Sequence, residues 1–175
     1  MEKMVWHYAP WAYLPAMVES GELKTSNAGV PDEVPMLWFS ANQSWEPTAT
    51  KMVGNSRGTA LIKLTFDEQV EKFGCVRFGL LADDSRLLEW KNACVAAGTA
   101  PKKKRAMEQV GRRQGANPAH WYAVTDNIPL DGLLFQVFAN NGWCNIDWQG
   151  QGIEAMAEKW TEARGRVIQN NPTAA

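Results

Sequence analysis

The sequence has few of the residues, and none of the spacings, on which metal sites are usually built. It contains only two histidines and three cysteines in 175 residues. The three cysteines, Cys75, Cys94 and Cys144, show no C-x-x-C spacing, and their odd number argues against a disulfide framework. No H-E-x-x-H segment is present, so a conventional zinc catalytic site is not indicated either. We therefore expect no metal.

Phosphate-binding loops and the common nucleophile motif are also missing from the sequence. Neither G-x-x-x-x-G-K-[ST] nor G-x-G-x-x-G occurs, which argues against the two commonest nucleotide-phosphate cradles. There is no G-x-S-x-G turn to expose a serine nucleophile, as a Ser-His-Asp hydrolase of the common type requires. What remains is a site built from hydrogen bonds and aromatic surfaces.

Long apolar runs and a charge excess are absent as well. No run approaches the roughly 18 apolar residues needed to span a bilayer, and the N-terminus lacks a cationic-then-apolar signal. We expect a soluble, cytoplasmic protein.

A net charge of -1 argues against a general nucleic-acid footprint. The length and the 45% hydrophobic content predict a single domain over residues 1–168, followed by a disordered polar tail at 169–175.

Hydrophobic periodicity and turn residues predict an α+β fold, with a mixed sheet of about six strands and four or five flanking helices. The predicted strands cover residues 4–8, 36–40, 59–66, 75–81, 121–124 and 133–139. The predicted helices cover residues 11–20, 47–53, a segment capped at 83–85 and ending at Gly98, a basic segment at 102–113, and 153–160. Residues 24–35 hold many turn formers and are predicted to be a mobile loop, or a lid.

Two short segments carry the candidate site. Trp6-His7-Tyr8 lies on the first predicted strand, and Trp38 and Ser40 lie on the second. Because side chains alternate along a strand, Trp38 and Ser40 face the same side. An imidazole, a large aromatic ring and a hydroxyl in this order suit a pocket for a flat ring and a ribose.

These segments, with the short helix and Gly21-Glu22-Leu23 between them, resemble the ADP-ribosyltransferase superfamily. The resemblance is to the branch that includes DarT-like toxins and RNA 2'-phosphotransferases. It implies an ADP-ribosyltransferase-like fold that holds NAD, as substrate, between the first two strands. His7 would then bond the NAD ribose, with Tyr8 beside it, and Trp38 would stack on nicotinamide near Ser40.

The third motif departs from the family pattern. Residues 121–124, followed by Ile128-Pro129-Leu130, look like the family's final strand and turn, but the family's catalytic glutamate opens that strand. The matching position here is Trp121, and the strand carries no carboxylate. Glu46, in the turn after Ser40, is the candidate replacement. The resemblance thus implies His7 and Glu46 as catalytic residues. It implies an NAD-binding set of His7, Tyr8, Trp38, Ser40 and Trp121.

Each assignment has a simpler structural interpretation. His7 is equally explained as a buried histidine bonded to a backbone carbonyl, Trp38 as a core residue, and Glu46 as an exposed surface residue. The basic residues at 102–105 and 112–113 are more simply a solvated face than a phosphate site.

Two functions follow. One is an NAD-dependent ADP-ribosyltransferase acting on a protein or nucleic-acid acceptor. The other is an inactive binding protein on the same scaffold, which holds a nucleotide-like ligand or uses exposed tryptophans to bind a macromolecule.

Overall fold

The computed structural model describes residues 3–27, 30–54 and 57–146. The helix predicted at 153–160 and the tail predicted at 169–175 lie outside these residues. The described strands are β1 Met4–Ala9, β2 Glu22–Leu23, β3 Leu37–Ser40, β4 Met52–Gly54, β5 Leu61–Lys63, β6 Val76–Leu81, β7 Leu88–Glu89, β8 Trp121–Val124, β9 Ile128–Pro129, β10 Leu134–Ala139 and β11 Gly142–Asn145. The described α-helices are α1 Leu14–Ser20, α2 Phe66–Phe73, α3 Trp90–Ala97 and α4 Pro101–Arg113. Short 3-10 helices occupy Trp11–Tyr13, Pro47–Ala49 and Pro118–His120.

Seven of the strands form the main sheet, in the order β11-β10-β6-β1-β3-β8-β7. The strands β2 and β9 form one small ladder, and β4 and β5 form another. The α+β class is therefore confirmed. The prediction of a mixed sheet is wrong, because each strand pairing described is antiparallel. No helix in the described parts of the chain is long and apolar enough to cross a bilayer.

The two faces of the main sheet differ in composition. On one face, which we call the core face, Val5 on β1 packs with Phe39 on β3 and Phe78 on β6 in the largest cluster of buried apolar residues. Leu14 of α1 belongs to the same cluster, so α1 covers this face. Burial of this apolar surface is the main term that stabilises the fold.

The opposite face, which we call the tryptophan face, carries most of the large aromatic and polar side chains. Strand pairing sets Trp6 opposite Ser40, and Ser40 opposite Trp121, across β1, β3 and β8. Directly paired residues point to the same side of a sheet. The small side chains Ala93 and Ala97 of α3 pack against this face beside Trp38.

The strands β1 and β3 diverge in the middle of the main sheet. Their register contains a single pair, Trp6 opposite Ser40, whereas β1 pairs with β6 at all six of its residues. Beyond that pair, the ring nitrogen Nδ1 of His7 lies 2.9 Å from the carbonyl oxygen of Trp38. The imidazole thus takes the place of a backbone hydrogen-bond partner. We call this opening between the two strands the β1–β3 split.

Between residues 47 and 66, one predicted element is wrong and one is only partly confirmed. The helix predicted at 47–53 is a single 3-10 turn, Pro47–Ala49, after which the chain extends into β4 and pairs with β5. The strand predicted at 59–66 is only Leu61–Lys63, and α2 begins at Phe66. The cause is a capping box, in which Thr65 accepts from the backbone N–H of Glu68 and the Glu68 carboxylate bonds the Thr65 backbone.

The helix predicted from a cap at residues 83–85 starts later than expected. Asp84 instead forms an ion pair with Arg86, at 2.7 Å, and Leu88–Glu89 pairs with β8 before α3 begins at Trp90. Gly98 ends α3 in the left-handed conformation, as predicted. Helices predicted at 11–20 and 102–113 are confirmed by α1, with its preceding 3-10 turn, and by α4.

Candidate functional site

The centre of the candidate site is a buried carboxylate. Glu46 is 6% exposed, so its interpretation as a surface residue is wrong. Its Oε2 accepts a hydrogen bond from the Ser40 hydroxyl at 2.8 Å. Its Oε1 accepts from the backbone N–H of Thr48 at 3.2 Å and from the Thr48 hydroxyl at 2.7 Å. Glu46 is therefore both the cap of the 3-10 helix Pro47–Ala49 and the partner of Ser40.

The two predicted tryptophans lie on the same face as Ser40. The ring of Trp38 is half-buried, and its centroid lies 5.6 Å from that of Trp90. Trp121 is 8% exposed and packs edge-to-face on Trp90 at 4.9 Å. Its indole N–H is fully buried and has no hydrogen-bond partner within the described part of the chain. A buried donor without a partner is costly, and such a group in a folded protein calls for an explanation, such as strain, a catalytic role or a bound water or ion.

Tyr8 bonds both the turn between Ser40 and Glu46 and a residue of strand β6. Its hydroxyl donates to the carbonyl of Asn42 at 2.5 Å and accepts from Arg77 at 3.3 Å. The backbone N–H of Asn42 in turn donates to the Ser40 hydroxyl at 3.1 Å. Burial raises the pKa of Tyr8 to about 12; Arg77 opposes this rise and Glu46 adds to it. Arg77 and Glu46 are therefore linked by two sets of hydrogen bonds that meet at the backbone of Asn42, one at its carbonyl and one at its N–H.

Arg77 is a site residue that the sequence reasoning missed. It is 5% exposed, and its guanidinium lies 3.8 Å from the ring centroid of Trp6 and 4.2 Å from that of Trp143. It donates to Gln136 and to the carbonyl of Gln43, each at 2.6 Å. The available signal was a cation in the middle of the otherwise apolar segment 75–81, because an arginine there must be buried or lie at an edge.

His7 lies on the other face of the sheet from Trp38 and Ser40. Its ring packs edge-to-face on Phe39 at 5.9 Å, on the core side, and reaches the Trp38 backbone through Nδ1. The single pocket predicted for His7, Trp38 and Ser40 is therefore not formed on one face. The structure brings together Tyr8, Trp38, Ser40, Glu46 and Trp121. It gives His7 the carbonyl-bonded arrangement that was the simpler alternative.

The remaining predictions from the sequence concern residues outside this set. The described part of loop 24–35 is held by paired backbone hydrogen bonds between Ser26 and Met36 and by an ion pair between Lys103 and Glu33, and its role as a lid stays a prediction. His120 is exposed at the end of a 3-10 helix. In residues 3–27, 30–54 and 57–146, no group of three or more His, Cys, Asp or Glu residues could hold a metal. No described tryptophan is fully exposed, although four are half-buried: Trp11, Trp38, Trp45 and Trp143.

Protonation of His7 is expected to destabilise the fold. Burial lowers the pKa of His7 from its ordinary 6.5, as does the charge of Lys51, while the bond to the Trp38 carbonyl raises it. Below pH 6.5 the unfolded chain therefore binds more protons at His7 than the folded protein does. The neutral form of His7 therefore contributes to the free energy of unfolding in full above pH 6.5. This contribution is lost as the pH falls through the pKa of His7 in the folded protein, by at most about 1.4 kcal/mol per pH unit.

Denaturant unfolding at several pH values measures this contribution. His7→Gln keeps an amide donor for the Trp38 carbonyl and removes the titrating ring, so it should flatten the pH dependence just below pH 6.5. His120→Gln changes an exposed histidine and serves as the matched control. The same slope in His7→Gln and in the wild type would assign the pH dependence to another group.

The site combines an oriented carboxylate, a hydroxyl, a buried cation and several aromatic rings. Such a set can bind an anionic ligand that has flat rings, and can stabilise a positive charge that develops near Glu46. No protein-family model, no curated protein and no solved structure matches this chain significantly.

Proposed function

We propose that this protein is an NAD-dependent ADP-ribosyltransferase-like enzyme, acting on a protein or nucleic-acid acceptor, and that NAD binds on the tryptophan face beside the β1–β3 split. The observation that carries the proposal is the buried Glu46 carboxylate, bonded to Ser40 at 2.8 Å on the face that also presents Trp38. This carboxylate stands in for the one that is missing from β8. The ADP-ribosyltransferase-like fold is part of the proposal.

Each residue has a distinct chemical role in this reaction. As nicotinamide leaves, positive charge develops on the ribose, and a carboxylate that is already oriented stabilises it without reorganisation. Ser40 and Thr48 hold the Glu46 oxygens in place by three hydrogen bonds. Trp38 is half-buried and offers a ring surface to nicotinamide. The indole N–H of Trp121, which has no partner among the described residues, offers a donor.

His7 takes a different role from the one implied by the resemblance. Its imidazole reaches the Trp38 carbonyl from the core face, so we assign it as a positioning residue that fixes β3 at the split. Ribose contacts then fall to Tyr8, Ser40 and Glu46, which are linked through the backbone of Asn42 on the tryptophan face.

A second function is favoured by the bonding of Glu46. Three donors already occupy its oxygens, and the side chain is buried as a helix cap, which is sufficient reason for a glutamate at this position. A protein with Glu46 in a purely structural role would bind a nucleotide-like ligand on the same face without turnover.

Calorimetric titration with NAD, followed by an assay of the same sample for released nicotinamide, separates the two functions. Binding with release is the result expected of the enzyme. Binding without release, across a panel of protein and nucleic-acid acceptors, would leave the inactive binding protein. If the folded protein did not bind NAD, it could be neither an NAD-dependent enzyme nor an inactive NAD-binding protein.

A further inference from the structure

The charge of Arg77 is not balanced by any carboxylate in the parts of the chain that the structure describes. The three ion pairs found there join Arg86 to Asp84, Lys103 to Glu33 and Lys104 to Glu108. The partners of Arg77 are neutral: the Gln136 amide oxygen, the Gln43 carbonyl and the Tyr8 hydroxyl. A buried charge without an opposite charge is costly, and proteins normally pair it or use it to bind an ion.

The hydrogen bonds of Arg77 do not use every donor of its guanidinium. The group has five N–H donors, and three hydrogen bonds engage Nε and Nη1. The two donors on Nη2 have no partner among the described residues. The rings of Trp6 and Trp143 lie against the guanidinium, at 3.8 and 4.2 Å from their centroids, and limit its movement.

A planar guanidinium held in one orientation is well suited to phosphate. The two N–H groups of Nη2 diverge, so each can donate one charge-assisted hydrogen bond to a phosphate oxygen. Glu46 is linked to the same region, because Tyr8 bonds the Asn42 carbonyl and Ser40, the partner of Glu46, bonds the Asn42 backbone N–H. Arg77 and Glu46 thus place a fixed cation and a fixed anion along one face.

We propose that Arg77 binds a phosphate or pyrophosphate group of the ligand that occupies the tryptophan face. This inference rests on the proposed function for its choice of ligand, because NAD carries a pyrophosphate between two riboses. It predicts that ligands with the pyrophosphate bind and that nucleosides without it bind poorly, whether or not the protein turns NAD over.

A ligand series on the unmodified protein tests the inference without any risk of misfolding. ADP-ribose should bind about 10- to 100-fold more tightly than adenosine, the difference expected for hydrogen bonds to a charged group. Inorganic pyrophosphate alone should compete with ADP-ribose. Equal affinities for ADP-ribose and adenosine, or no binding of either ADP-ribose or pyrophosphate, would overturn the inference.

Gln136→Glu gives a second test at the residue level. The Gln136 amide oxygen is 2.6 Å from Nε of Arg77, so a glutamate there supplies the missing ion pair. The variant gains this ion pair and loses the hydrogen bond that the Gln136 amide donates to Asn145, so it should be about as stable as the wild type. It should bind ADP-ribose at least about 10-fold more weakly, with adenosine unaffected. Gln109→Glu makes the same charge change at an exposed position of α4 and is the control. Undiminished ADP-ribose binding in Gln136→Glu would overturn the inference.

The two proposals fail in different ways. Binding of ADP-ribose that is sensitive to Gln136→Glu, with no nicotinamide release from NAD, would support the anion site and reject the enzyme. Nicotinamide release with no preference for ADP-ribose over adenosine would support the enzyme and reject Arg77 as its phosphate ligand.

Discussion

Replacement of Glu46 by glutamine is expected to lower the rate of nicotinamide release from NAD about 100- to 1000-fold, the loss found when one preorganised electrostatic group is removed from an active site. Glutamine has nearly the same shape as glutamate but no charge. Its amide oxygen can still accept from both donors of Thr48, so the cap on the 3-10 helix Pro47–Ala49 survives. The Ser40 hydroxyl can rotate to accept from the new amide N–H.

The loss of stability in this variant should be small, about 1 kcal/mol, since it exchanges one hydrogen bond for a weaker one. The proper comparison is Glu68→Gln. Glu68 is also a carboxylate at a helix start, where it bonds the backbone and hydroxyl of Thr65, but it is exposed and belongs to α2. Glu68→Gln should affect stability without affecting turnover. If Glu46→Gln released nicotinamide at the wild-type rate, Glu46 would be only a cap.

The elements that the sequence predicted well are those with strong local signals. Helix α1 ends at Gly21, and α3 ends at Gly98, because glycine adopts the left-handed conformation that closes a helix. Strands β1, β6, β8 and β10 were located within one or two residues by their apolar and aromatic content. Such signals are carried by adjacent residues and need no knowledge of the tertiary structure.

The wrong predictions come from segments in which two local signals competed. Between residues 59 and 66 the alternating apolar pattern indicated a strand, but the capping box of Thr65 and Glu68 starts α2 within it. At Glu46-Pro47 a good helix start was present, yet the chain turns once and then pairs β4 with β5. Pairing with β5, the next strand along the chain, decided the outcome, and the helix-start signal at Glu46-Pro47 does not supply that information.

The candidate site was only partly predictable for the same reason. Alternation along one strand correctly put Trp38 and Ser40 on a common face, because that rule acts within β3. Whether His7 on β1 shares that face depends on the register between two strands. The register sets Trp6, not His7, opposite Ser40, and one residue of offset moves a side chain to the other face of the sheet. Arg77 was missed because its neighbours come from β1 and β11.

Replacement of Gly111 by alanine is expected to destabilise the fold by about 1–3 kcal/mol, the usual cost of overpacking a core. Gly111 lies within α4 and is buried against the indole of Trp121. A Cβ atom there would lie 2.4 Å from Cη2 and 2.6 Å from Cζ2 of Trp121. At an unhindered helix position the same change would instead stabilise the helix by roughly 1 kcal/mol. The sign of the effect therefore reports the contact between α4 and Trp121.

The contact matters for the site because Trp121 is wedged between α4 and the sheet. Its ring also meets Trp90, so a new methyl group that displaces the ring disturbs the surface beside Ser40, its strand partner. Gly111→Ala should then weaken NAD binding as well as stability. Gly142→Ala, where the added methyl meets no atom of the described residues within 4 Å, should leave NAD binding unchanged. Denaturant unfolding and calorimetric titration of the two variants measure both effects. A Gly111→Ala protein that is more stable than the wild type would place the Trp121 ring away from α4, and would separate α4 from the site.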